Sequence, residues 1–352
     1  MKNEFTCLVA WSVTLLTSLT GCSKPAARVV LFCAQDREFA QAVLGDFRHG
    51  TGLEVVPKFD TEADKSVSLY VELVQDKARP RCDVFWNNEI LSTLRLQKQG
   101  LLEPHDSPAA APYPASARAG DHTWHAFAAR ARVLIVNTDL VEPAVMPRSL
   151  FDLADPRWRG QVVMARPQFG TSATQAACLF EVLGSNQAKE YYRALKGNAV
   201  QLAPGNKQAA EWVGRGRTPA GAPAALGITD TDDALAEVQA KRPVALVFAD
   251  GDGNSPGRMG SLFIPNTVAI IKGGPNPEGA RKLVDFLLSP GTERALAQNE
   301  GHQIPLNPGV AVALPAHLKR PGEVKAMEVD FDRAADLWGE VQTFLREEFA
   351  RP

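Results

Sequence analysis

The sequence predicts an α/β protein of two lobes, each a parallel or mixed sheet with helices on its faces, joined by two hinge strands. Three observations lead there. Strand and helix patterns alternate three times across 28–100. A second strand–helix set runs from 161 to about 240. Two long apolar strand patterns, "ARARVLIVNT" (129–138) and "SLFIPNTVAIIKG" (261–273), separate the sets, so the chain crosses between lobes twice.

The elements follow in order. "RVVLFCA" (28–34) is a short apolar, β-branched run of the kind found in buried strands. Asp36 offers an N-cap to "REFAQAVLGDFRHG", where Phe39, Val43, Leu44 and Phe47 share one helical face and Gly50 is the expected stop. A strand at 53–59 and a helix near 65–78 come next, then the strand "CDVFW" (82–86) and the helix "EILSTLRLQKQG". In the second set, the strand "QVVMA" (161–165) leads to a helix from about 172 and another in "NQAKEYYRALKG". "AALGIT" then precedes a helix from about 231. "NPEGARKLVDFLLSP" and a terminal segment at 329–350 complete the helices.

The N-terminus reads as a leader. One lysine precedes an apolar run from Cys7 to Leu19 that is too short and too hydroxylated for a span of about 20 apolar residues. "LTGC" ending at Cys22 resembles the bacterial lipobox, in which the cysteine is acylated. Residues 1–21 are therefore read as a signal peptide, 22–27 as a lipid-anchored tether, and the mature protein as held in the periplasm or cell envelope. The remaining 331 residues are enough for two domains.

Composition narrows the function. A net charge of −2 provides no basic excess for nucleic acid and no polybasic patch for a membrane, so the membrane is reached through the lipid alone. Cys33, Cys82 and Cys178 remain besides Cys22; their number leaves at least one free thiol, and the sequence does not say whether any two pair. No CxxC or His-rich spacing marks a zinc site. There is no GxSxG elbow, HExxH, P-loop or strand-following GxGxxG, and no nucleophile–base pair, so the reading is not an enzyme, with a hydrolase as the distant alternative.

"CDVFWNNEILSTLRLQKQGLLEP", "ARARVLIVNT", "FGTSATQAA" and "FIPNTVAIIKGGPNPEGARKLVDFLLSP" resemble, in order and over nearly the whole mature chain, the ferric-ion-binding branch of the extracellular solute-binding proteins of bacterial ABC importers. The resemblance implies the two-lobed periplasmic-binding-protein fold, with the ligand in the cleft and closure about a hinge. The lobes would be 28–128 plus 268–352, and 138–262, with crossings at 129–137 and 263–267. It also implies a monomer that works with a permease and an ATPase in the inner membrane. No cofactor is expected. A sensing receptor would use the same closure and is the other alternative.

The branch's ferric site is where the chain departs. An adjacent tyrosine pair is usual just after the strand that "ALGIT" matches, and here those positions are Asp232 and Asp233. A ligating histidine in some members matches Asp36, and a glutamate falls near Asn88. The chain's own pair, Tyr191-Tyr192, sits in an amphipathic helix where neighbours point about 100° apart, so it reads as packing plus surface. Phenolate-bound iron thus lacks its residues. Carboxylate-bound iron, through Asp36, Asp232 and Asp233, stays possible because Asp oxygen is also a hard ligand.

The candidate site has two poles. Gly170, Thr171, Ser172 and Ala173 open a helix after a strand, where unpaired N–H groups and the dipole form an anion cradle. The bland reading is a capping box between Ser172 and Gln175. Asn206 and Lys207 begin another helix, Asn206 either as an N-cap or, as the resemblance implies, as an anion ligand. Arg130 and Arg132, two apart on one face of a crossing strand, are candidates for a bidentate pair with the anion. At the other pole, "GITDTDDA" places Asp230, Asp232 and Asp233 together. One acid can cap the helix, but three repel one another unless a cation joins them. A phosphate-like or aminophosphonate zwitterion, or a metal with a bridging anion, fits both poles. Phe85 and Trp86 either wall the site or belong to the core.

Overall fold

A computed structural model of the chain describes residues 28–60, 67–252 and 259–349; the leader, the tether and Cys22 lie outside the described residues. The strands are β1 (Arg28–Cys33), β2 (Glu54–Phe59), β3 (Val84–Asn87), β4 (Leu102–Glu103), β5 (Trp124–Asn137), β6 (Val162–Ala165), β7 (Gln201–Ala203), β8 (Leu226–Asp230), β9 (Val244–Val247) and β10 (Phe263–Ile271). They follow the path β2-β1-β3-β10-β5-β8-β6-β7, with β4 added to β10 and β9 to β5. β1 pairs in parallel with β2 and β3, and β6 in parallel with β7 and β8. β10 runs antiparallel between β3 and β5. The architecture is the two-lobed α/β fold with mixed sheets.

β5 is the common strand of both halves and is buried along its whole length. Its residues Trp124 to Ala131 pair with β10, and Arg132 to Val136 pair with β8. The strand therefore changes partners between Ala131 and Arg132. β10 carries a register shift between Pro265 and Asn266, beside that change. The sequence pattern began this strand five residues late, because "WHAFA" interrupts the apolar run with a histidine that is in fact buried.

Helices α1 (Arg37–Thr51), α2 (Val67–Gln75) and α3 (Leu91–Lys98) cover the first half. α1 buries Ala40, Val43, Leu44 and Phe47, the face its periodicity dictates. It runs past Gly50 to Gly52, whose φ of 71° provides the left-handed C-cap and whose N–H bonds Arg48 O. In the second half α4 (Gly170–Leu183), α5 (Ser185–Gly197), α6 (Asn206–Gly214) and α7 (Thr231–Gln239) surround β6 and β8. α8 (Pro277–Leu287) and α9 (Pro290–Gln298) follow β10, and Asn276 and Ser289 cap them with side-chain oxygens.

The terminal helical pattern divides into α10 (Phe331–Asp336) and α11 (Trp338–Phe349). α11 lies on α4 and α5: Phe344 packs on Phe180 at 5.7 Å, and Lys189 and Arg193 pair with Glu340 and Glu348. These contacts attach α11 to elements of 138–262, whereas the sequence reading grouped all of 268–352 with the first lobe. The amphipathic pattern shows that a helix buries a face, not which lobe receives it. Phe85 and Trp86 are fully buried, Trp86 against Phe127 at 5.5 Å, so they are core and not cleft wall. Tyr191 and Tyr192 are both buried too, which corrects the expectation that one faces solvent. The three cysteines are free and buried, and burial pushes their thiols well above the usual range.

Candidate functional site

The strand-to-helix turns before α4, α6 and α7 meet the change point of β5. Arg130 and Arg132 are 3% and 2% exposed and lie on one face of β5, as their spacing requires. Arg132 Nη1 lies 2.8 Å from Asp230 Oδ1, its Nε donates to Gln175 Oε1 at 2.8 Å, and Nη1 also reaches Asn206 Oδ1 at 3.0 Å. Arg130 Nη1 stands 3.2 Å from Asp232 Oδ2 and 3.3 Å from Asp230 Oδ2, while Nη2 donates to Asn88 O at 2.9 Å. The arginines expected to meet a ligand's anion are thus paired with the acids expected to meet its cation. Arg130 retains one group, a buried Nε with no hydrogen-bond partner.

The same pairing disposes of the capping readings. Asp230 holds the N-cap position of α7, yet its side chain makes no cap bond. Instead Oδ2 accepts from Thr171 Oγ1 at 2.6 Å and from Asn206 Nδ2 at 3.1 Å. The carboxylate of Asp230 therefore occupies the side-chain donors at the starts of α4 and α6, as an internal anion. Ser172 and Gln175 do not form a capping box: Ser172 Oγ donates to Asn206 Oδ1 and Gln175 serves Arg132. Asn206 is the first residue of α6, behind Gly205, and caps nothing. Asp36 likewise stands at the N-cap of α1 without a side-chain cap bond.

Burial alone would raise the pKa of Asp230, but Arg130, Arg132 and the Thr171 hydroxyl outweigh it and hold the carboxyl below its ordinary value. Burial works against the charge of Arg130 as well, and the Asp232, Asp230 and Asp36 carboxylates more than restore it. One oxygen from each of Asp230, Asp232 and Asp233 lies within 4.8 Å of the others. A cation at that cluster has to compete with the guanidiniums.

A cavity of about 30 Å³ lies at this junction, lined by Asn88, Arg130, Gly170, Thr171, Asn206, Asp230 and Asp233 among the residues singled out from the sequence. It is roomy enough for about two waters. Asp36, Ser172, Ala173 and Asp232 are not on its wall. The first N–H groups of α4 and α6 have no acceptor within their helices, and the small residues Gly170 and Gly205 let a ligand come close to them.

Sequence reasoning missed two contributors. Arg166, one residue beyond β6, lines the cavity with Phe169; its place at the carboxyl end of a parallel strand was the available signal. Glu89 is 1% exposed, accepts from the N–H groups of Leu91 and Ser92, and receives the Thr174 hydroxyl at 2.8 Å. It thereby ties the start of α3 to α4. No motif identified that contact, because Thr174 lies 85 residues away.

Two sheets that share β5, with the starts of α4 and α6 at a cavity beside their junction, are the arrangement expected of a solute-binding protein. Residues 92–331 match the family described as bacterial extracellular solute-binding protein, and the chain belongs to that family. The major ferric iron-binding protein of Neisseria meningitidis serogroup B is 25% identical over 309 residues, covering 84% of this chain and 86% of that one. Iron uptake protein A1 of Synechocystis is 27% identical over 282 residues, covering 75% of this chain and 76% of that one. Iron-bound HitA from Pseudomonas aeruginosa shares the fold with a TM-score of 0.79 at 21% identity, over 92% of this chain and 99% of that one. AfuA from Actinobacillus pleuropneumoniae, with fructose-6-phosphate bound, has a TM-score of 0.78 at 19% identity, over 93% of this chain and 99% of that one.

Proposed function

We propose that the protein captures a small solute bearing a phosphate- or phosphonate-like anion in the interlobe cleft and delivers it to the permease and ATPase of an ABC importer. The observation that carries this reading is the cavity where the starts of α4 and α6 meet Arg130 and Arg166. Backbone N–H groups there favour an anion with the helix dipoles, and the buried Nε of Arg130 adds a charged donor. Asp233, which also lines the cavity, would face a positive part of the ligand, an ammonium or a metal. Closure of the two lobes over the solute, with bending at 129–137 and 263–267, is the proposed delivery state, presented from a lipid anchor at Cys22 in the periplasm or envelope.

A second reading is favoured by the carboxylate cluster and by the ferric names of the relatives: iron held through Asp232 and Asp233 with an accompanying anion. A thermal-shift screen separates the two, using phosphonates, aminophosphonates, sugar phosphates, polyamines and ferric citrate. A ligand at a hundred times its dissociation constant adds about 2.7 kcal/mol of stability. Stabilisation by a phosphonate or phosphate without metal supports the first reading; stabilisation by ferric salts alone overturns it in favour of the second.

A further inference from the structure

A second chamber of about 600 Å³ adjoins the cavity, and Arg166 and Phe169 belong to the walls of both. It lies between the start of α3, the turn before α4 and the face of α11 that runs from Trp338 to Arg346. Arg95, Arg166 and Arg346 face it together with Ser92, Phe169 and Trp338, and no carboxylate lines it among the described residues. None of the three arginines forms an ion pair among the described residues, in contrast to Arg130 and Arg132. Arg95 is fixed in direction, its guanidinium stacked on Tyr70 at 4.0 Å and on Trp338 at 4.8 Å. Three guanidiniums without an ion pair among the described residues, Arg95 drawn only at longer range by Glu89, stand around a space walled in part by Phe169 and Trp338, a set for a flat, anionic group.

We infer that the chamber binds the second end of the ligand, a carboxylate carried on a planar apolar body, so that the solute is an organic dianion spanning both spaces. This rests on the phosphonate reading of the inner cavity and names its solute class. Size supports it: the adjoining volume falls in the range of about 300–1,000 Å³ usual for organic ligands. Phe169 and Trp338 cover the planar body, and Arg95 and Arg346 receive the carboxylate with charge-assisted hydrogen bonds. Arg166, between the two spaces, serves both charges.

The test is calorimetric titration of the wild-type chain with phenylphosphonate, 4-carboxyphenylphosphonate and benzoate. The carboxylate should tighten phenylphosphonate binding about ten- to a hundred-fold. Arg346→Gln should bring that ratio near unity; Arg346 is exposed on α11 and bonds only weakly to Thr343 Oγ1 at 3.4 Å, so the helix tolerates the change. Equal affinity for the two phosphonates overturns the chamber and leaves the inner reading intact. Benzoate binding that Arg346→Gln weakens, with no gain from a phosphonate, keeps the carboxylate site of the chamber but overturns the inner reading and with it the dianion. No binding of any probe overturns both, as does a ratio that Arg346→Gln does not move for the chamber alone.

Discussion

Arg132 and Asp230 are each at most 2% exposed, and their nearest charged atoms are 2.8 Å apart at the point where β5 changes partners. The pair joins β5 to the start of α7 and, through Thr171 and Asn206, to the starts of α4 and α6. Three helix N-termini are thereby locked around one carboxylate. Removing either partner leaves a buried charge uncompensated, which typically costs about 3–5 kcal/mol. Asp230→Asn should therefore lower stability by about that amount in urea unfolding. A loss under about 1 kcal/mol would mean that water reaches the arginine.

The same carboxyl sets an acid limit. Its folded pKa is depressed, so the stability it contributes is fully present above the unfolded value of 3.8 and is lost as pH falls from there through the lower folded value. The urea midpoint of the wild type should drop below about pH 4 more steeply than that of Asp230→Asn. Parallel acid limbs would show that other carboxyls carry the transition.

Thr174→Val keeps the shape of the side chain and removes its hydrogen bond to Glu89. A hydrogen bond to a charged group contributes about 1.5–3 kcal/mol, and Glu89 is buried, so stability should fall by about that much. An unchanged unfolding midpoint would show that the α3–α4 tie carries no weight.

Ferric loading should leave the protein colourless in the tyrosinate charge-transfer region. Burial raises the pKa of Tyr191 and Tyr192, which favours neutral phenols, and the Tyr191 hydroxyl donates to Leu150 O at 3.2 Å. A strong visible band abolished by a Tyr→Phe change at either position would refute this.

Acylation at Cys22 is checked by fatty-acid labelling in a bacterial host. Wild type should take up label and Cys22→Ala should not, since the thiol is the attachment point in the "LTGC" reading. Equal labelling of both points to an ordinary cleaved leader.

Much of the fold was legible because its signals are local. The face of α1, the strand "RVVLFC" and the β-α alternation come from periodicity within windows of ten to fifteen residues. β7 and β9 were missed; β9 and most of β7 are only partly buried, so they lack the fully buried apolar run by which the equally short β3 and β6 were read. The break at Leu337 was missed as well, because the residue is a good helix former and Gly339 beside it was the one local signal, left unused. The sites at Gly170 and Asn206 were readable as helix starts after turns. Arg166 was not singled out, because an arginine after a strand is ordinary until a cavity is seen beside it.

The sequence by itself determined that two arginines lie on one face of a crossing strand and that three aspartates gather at a helix start. Both follow from the repeat geometry of the backbone. Only the tertiary structure decided that these two groups, 98 to 102 residues apart, are each other's partners. The reason is burial. In water each charge is solvated and any pairing is weak, whereas inside the protein an unpaired charge is costly enough that chain packing selects its counterion. That selection depends on which turns converge at β5, and no local stretch of residues encodes it.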